Sequence, residues 1–168
     1  HSQSVVAGRS RLPAEEGGQH LRAFLDGLAA SRERSIGAST PDVSIWAHSY
    51  GSLVAGSMLA AAAQRHESTP VRAVVALGSP GMGVSIPAQL GLRLDQIFVA
   101  EAELDPIPEL GVFSSDPGHW AGVTQLETEA RPLPDGSPGA AGRGHESNLT
   151  PGSTSAWNLA AIAAGRPD

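Results

Sequence analysis

The sequence predicts an α/β fold: a mainly parallel sheet with helices packed on its faces. Two nearly continuous apolar runs, Val43 to Ala47 and Val71 to Leu77, read as strands buried on both sides. Between them lies a small-residue stretch, Tyr50 to about Gln64, long enough to serve as the crossover helix that parallel strands need. With 40% hydrophobic and 17% charged residues, the 168-residue chain can build one core, so residues 1–168 are read as a single domain.

The elements follow in order. His1 to Pro13 reads as a loop. Ala14 to Ser31 reads as a helix with Leu21, Phe24, Leu25 and Leu28 on one face and Glu15 and Glu16 in its first turn. A polar connector leads to Asp42 and the first strand. After the second strand and Gly78-Ser79-Pro80-Gly81, a third strand is expected at about Gln96 to Glu101 and a fourth near Gly122 to Glu129. A segment rich in Gly, Pro and Ser separates those two, and Ile107 to Gly122 is expected to form part of a lid. Pro132 to Gly144 reads as a loop, and Thr154 to Ala164 as a closing helix that stops at Gly165.

Charge and composition exclude several functions. A formal net charge of −6 repels phosphate backbones and anionic membranes, so no nucleic-acid partner is expected. No cysteine is present, which removes disulfides, zinc–thiolate sites and iron–sulfur clusters and leaves the compartment open, cytoplasmic or exported. Leu53 to Ala63 is the longest nearly apolar stretch and is too short to span a bilayer. No His/Asp/Glu spacing resembles a metal site and no glycine-rich segment fits a nucleotide fingerprint, so neither metal nor cofactor is expected.

Ala47-His48-Ser49-Tyr50-Gly51 stands between a predicted strand and a predicted helix. A sharp strand-to-helix turn with small residues two before and two after a serine exposes that hydroxyl as a nucleophile. Ser49 is therefore the candidate nucleophile. The backbone N–H of Tyr50, at the helix start, is the candidate oxyanion donor. The plainer reading of Ser49 is a helix N-cap. Ser79 also follows a strand, but Pro80 behind it has no N–H to offer an oxyanion, so Ser79 is placed at the pocket rim as a substrate contact.

A serine needs a positioned base, and elbow sites order nucleophile, acid and base along the chain. Asp105 follows the third strand and is stiffened by Pro106; Glu103 and Asp116 are the alternatives, with Asp116 also explicable as a turn residue of Asp-Pro-Gly. His145 follows Gly142-Arg143-Gly144 and precedes the last helix, and His119 is its alternative as base. His48 is expected to face away from the nucleophile, and His20 and His66 to sit on flanking helices. Trp120 is expected as an apolar wall of the pocket.

The runs from Val43 to Ser52, Val75 to Gly81 and Leu104 to Pro108, with Gly144-His145, resemble the α/β-hydrolase family, in the form widespread in actinobacteria and catalogued as a domain of unknown function. Ala47 stands where glycine is usual. The resemblance covers about Ala14 to Gly165 and implies Ser49, Asp105 and His145 in the triad roles. The implied function is hydrolysis of a small ester or thioester through an acyl-serine. Acyl transfer on the same fold, or a non-catalytic binding or assembly module, are the alternatives. The family's strands that precede the nucleophile are missing, so the chain is expected to be the C-terminal part of a longer fold. The strand Val43 to Ala47 would then be an apolar sheet edge, to be covered by an N-terminal half or another subunit.

Overall fold

The computed structural model describes residues 3–37 and 41–165. Four parallel strands form one sheet in sequential order: β1 (Val43–His48), β2 (Val71–Leu77), β3 (Ile97–Ala100) and β4 (Thr124–Gln125). The register pairs His48 with Leu77 and Leu77 with Ala100, so the carboxyl ends of the first three strands lie level. That alignment gathers the loops after them at one end of the sheet, the usual place for a ligand site in such folds.

The period-two alternation of β2 divides the core. Val74 and Ala76 join Leu25, Met58 and Leu59 on the face covered by α1 (Gln3–Ile36) and α2 (Tyr50–Gln64). Ala73, Val75 and Leu77 join Leu159 and Ile162 of α4 (Thr154–Ala163) on the other. Residues 73–77 are at most 2% exposed, and each buried Val or Leu contributes roughly 1.5–3 kcal/mol. Ser153 caps α4, its Oγ accepting from the Ala156 N–H at 3.1 Å. α2 runs close under the loop after β2: a Cβ on Gly56 would strike the Met82 carbonyl, so only glycine lets helix and loop meet there.

Several expectations are corrected. From Gln3 onward the expected opening loop is helical, and α1 carries Pro13 inside it; residues 1 and 2 lie outside the described residues. The expected loop ended at Pro13, but a proline removes one helical hydrogen bond and need not end the helix around it. The buried face of α1 is Ala14, Gly18 and Leu25, whereas Phe24 is 65% exposed. β4 is two residues long. The expected loop 132–144 contains the end of β5 (Arg131–Pro132) and all of β6 (Pro138–Gly139), paired antiparallel around the turn Pro134 to Ser137. β1 is an edge strand rather than a fully buried one, with Trp46 43% exposed. Among the described residues, no helix is long and apolar enough to cross a membrane.

Candidate active site

Ser49 occupies the turn from β1 into α2 with φ 54° and ψ −127°, a region that L-residues rarely visit. Such a conformation costs about 1–3 kcal/mol and persists only where the surroundings hold it. The holding groups are visible. The Ser49 N–H donates to Leu77 O at 2.9 Å, and Ser49 O accepts from both the Ser52 N–H (3.0 Å) and the Ser52 hydroxyl (2.6 Å). Ser52 has spent its one proton there, so the 2.6 Å bond between Ser52 and Ser79 runs from the Ser79 hydroxyl to Ser52 Oγ. Ser79 in turn accepts from the Gly81 N–H at 3.1 Å. The relay from Gly81 through Ser79 and Ser52 to the Ser49 carbonyl is buried, with Ser52 and Ser79 fully inaccessible.

This corrects two expected substrate contacts. Ser79 is not at a rim, because its hydroxyl points inward and steadies the turn. Trp120 is buried in the core cluster beside Val74 and Ile97 and donates Nε1–H to Ser115 Oγ at 3.0 Å, so it walls no open pocket. Part of the expected lid lies on the loop after β2, where Phe113 N–H donates to Pro80 O at 3.2 Å. The Phe113 ring meets Tyr50 edge-on, 5.6 Å between centroids. At Gly51 a Cβ would meet nothing within 4 Å, so no described neighbour demands a small residue there.

Asp105 and His145, forty residues apart, meet beyond the ends of β2 and β3. Both carboxylate oxygens of Asp105 lie 3.0 Å from His145 Nδ1, and Oδ1 also accepts from the Ile107 N–H at 2.9 Å. The Asp105 side chain is fully buried, and His145 keeps 22% of its side chain exposed. A carboxylate facing Nδ1 fixes the proton on that nitrogen and leaves Nε2 with its lone pair. Leu104, at φ 64°, turns the chain so that Asp105 faces inward while Leu104 itself is 73% exposed. Gly144 N–H donates to Glu103 O at 2.7 Å, stapling the loop of His145 to the loop of Asp105. Glu103 itself forms an exposed ion pair with Arg143, and Asp116 pairs with His119 at 3.4 Å, so the alternative acids and the alternative base are engaged elsewhere. Among the described residues Asp105 and His145 are paired with each other, and no hydrogen bond joins Ser49 Oγ to His145.

His48 was expected to face away, but its Nε2–H donates to the backbone carbonyl of His145 at 2.8 Å, with the two rings 4.5 Å apart at 38°. It clamps the base loop to the elbow. Ninety-seven residues separate the partners, so no local pattern announces the contact; its position beside Ser49 was the available signal.

Glu101, just past β3, was also missed. Its Oε1 is buried without a hydrogen-bond donor among the described residues. Burial first, then the neighbouring carboxylates of Asp116, Asp105 and Glu109, push its carboxyl up to about 7. The acid therefore keeps its proton in the folded protein well above the ordinary carboxyl range and donates it to Asp116. A raised carboxyl stabilises fully below its unfolded value, and the contribution is lost as pH rises towards and through about 7. Between pH 5 and 8 the melting temperature of the wild type should fall by roughly 2–4 °C relative to Glu101→Gln, about 1 kcal/mol after discounting for partial exposure. Parallel pH profiles from the two proteins would refute this coupling.

The cavity of about 540 Å³ between α1, α2 and the loop at Met82 is lined by none of Ser49, Asp105 and His145, and its walls pair no nucleophile with a base. The candidate site is therefore sought at the end of the sheet, where Ser49, Asp105 and His145 gather, rather than in this groove.

Residues 4–115 match the family model described as alpha/beta hydrolase, and the chain belongs to that family. Ser49 and Asp105 fall inside the match and His145 beyond it. The chain is similar to an uncharacterized protein of Mycobacterium bovis and to uncharacterized proteins of two Mycobacterium tuberculosis strains. Each is 36% identical over 110 residues, which cover 63% of this chain and 38% of the relative. The matched stretch thus spans well under half of those relatives. No solved structure matches the chain.

Proposed function

We propose that this protein is a serine hydrolase that cleaves a small ester or thioester through an acyl-Ser49 intermediate. The observation that carries the reading is the Asp105–His145 pair, both oxygens at 3.0 Å from Nδ1, set at the same end of the sheet as a strained serine at a strand-to-helix turn. His145 Nε2 takes the Ser49 hydroxyl proton as Oγ attacks the carbonyl carbon. The same proton then goes to the departing alkoxide or thiolate, leaving acyl-Ser49. Water repeats the sequence and frees the acid. Asp105 fixes the tautomer and stabilises the imidazolium throughout. The Tyr50 amide, first in the fifteen-residue α2, supplies one oxyanion donor with the helix dipole behind it. The bond between Ser49 and His145 closes when substrate binds, as catalytic hydrogen bonds often do.

The outer edge of β1 takes a further strand, from the rest of this protein or from another subunit. The exposed Trp46 and the short match to the relatives support this. That added part brings the second oxyanion donor, worth about 3–4 kcal/mol in the barrier.

Fluorophosphonate treatment followed by peptide mass mapping tests the reading. One adduct, on Ser49, is expected. An inert Ser49, in this chain and in a version extended across β1, would leave the fold as a binding module. Product analysis with an added alcohol separates hydrolysis from acyl transfer.

A further inference from the structure

We infer that His48, His145 and Glu146 form a zinc-binding site whose occupation reversibly blocks the base. One ligating atom from each of the three lies within 4.8 Å of the other two, and among the described residues no other group of histidine, aspartate and glutamate comes together in this way.

The two imidazoles are already prepared as ligands. His145 Nδ1 is held by Asp105, and His48 Nε2 is held by the His145 carbonyl at 2.8 Å. Each ring therefore has one nitrogen tied to an oxygen acceptor and the other left with a lone pair, the arrangement that orients metal-binding histidines. Both rings are partly buried, so their positions are fixed while the cleft stays open to solvent; Glu146, exposed, closes the set from the outside. Two imidazole nitrogens and one carboxylate oxygen with a vacant fourth position make a donor set that suits zinc. Calcium and magnesium ask for oxygen donors and are a poor match.

The blocking step rests on the reading of His145 as the base; the binding step does not. Zinc on Nε2 occupies the lone pair that would receive the Ser49 proton, so acylation stops while the metal is bound and resumes when it is removed.

The test begins with Zn²⁺ titrated into the full chain by calorimetry, without any substrate. A single site at one metal per chain is expected. It should be weakened at least about tenfold by His48→Ala and by Glu146→Gln, and kept by Ser49→Ala. Glu146 is on the surface, so its variant carries no folding penalty that could mimic the loss. Absence of one-to-one binding, or binding indifferent to both variants, as the exposed His20, His66 and His119 would give, overturns the site. Fluorophosphonate labelling is then run with Zn²⁺ and again with excess chelator. Labelling suppressed by zinc and restored by chelator supports the block, with Glu146→Gln resistant at the same zinc concentration. Full-rate labelling of zinc-loaded protein overturns the block. If zinc binds as expected but the chelated protein labels neither as this chain nor in the version extended across β1, the hydrolase reading fails and the metal site stands.

Discussion

Replacing Asp105 with asparagine should slow acylation of Ser49 by about 10⁴-fold while the protein still folds. The amide fills the same buried space and can still accept from the Ile107 N–H through its oxygen. What changes is the proton on the imidazole. With both carboxylate oxygens 3.0 Å from Nδ1, His145 carries its hydrogen on that nitrogen and offers Nε2 as the acceptor. An amide N–H turned towards Nδ1 reverses this, putting the hydrogen on Nε2 where Ser49 needs a lone pair. The rate of fluorophosphonate labelling gives the measurement, with a thermal melt beside it to verify folding. Glu103→Gln is the companion variant, since the exposed Glu103 side chain pairs with Arg143 at 3.2 Å and its bond to Gly144 is made by the backbone carbonyl, which the substitution keeps. A drop of less than about tenfold in Asp105→Asn, or a larger drop in Glu103→Gln, would remove Asp105 from the role of acid.

The strain at Ser49 and the relay beneath it belong together. About 1–3 kcal/mol is stored in the turn, and a buried hydrogen bond contributes about 1 kcal/mol net. The Ser52 hydroxyl, the Ser79 hydroxyl and the two amides at Ser49 and Ser52 can between them offset that strain. A plain helix cap would need no such apparatus. The Ser49 side chain, in fact, caps no amide of α2.

The core of the fold was legible because its signals are local. β1, α2 and β2 were readable from two apolar runs and a small-residue helix between them, and α4 from Thr154 to Ala164 with its stop at Gly165. Where the chain is held by tertiary contacts the sequence was silent. The fourth strand, expected near Gly122 to Glu129, is there but only two residues long, Thr124–Gln125. The hairpin of β5 and β6 hides in a Pro- and Gly-rich segment whose composition reads as loop. Side-chain direction at strand ends was the weakest point. Ser79 and Trp120 were placed on a pocket and lie in the interior. His48 was turned away and instead grips the base loop. Such directions depend on which strand neighbours which and in what register, information that a single strand's pattern does not contain. Glu101 was passed over because an acid beside a turn normally reads as solvated. Only the packing of the chain around Gly118 against its carboxyl reveals the burial.

Gly78→Ala should cut labelling of Ser49 by at least about 10²-fold while costing only about 1–2 kcal/mol of stability. Gly78 follows β2 with φ +52°, and a Cβ there would sit 2.5 Å from Asp105 Oδ2 and 3.0 Å from His145 Nδ1. The methyl group is thus aimed into the contact between acid and base. Asp105 cannot yield freely, because its side chain is fully buried and already bound to the Ile107 amide. His145 can move outward, which opens the pair and takes Nε2 out of line with Ser49. Misplacing a reacting group by about 1 Å is enough for a hundredfold loss. The left-handed backbone adds its own penalty, and Gly136→Ala isolates it. Gly136 has φ +84° in the turn between β5 and β6, with nothing within 4 Å of a Cβ. That variant should lose similar stability and label at the wild-type rate. Equal labelling by the two alanine variants would mean that the contact between Asp105 and His145 does not govern the reactivity of Ser49.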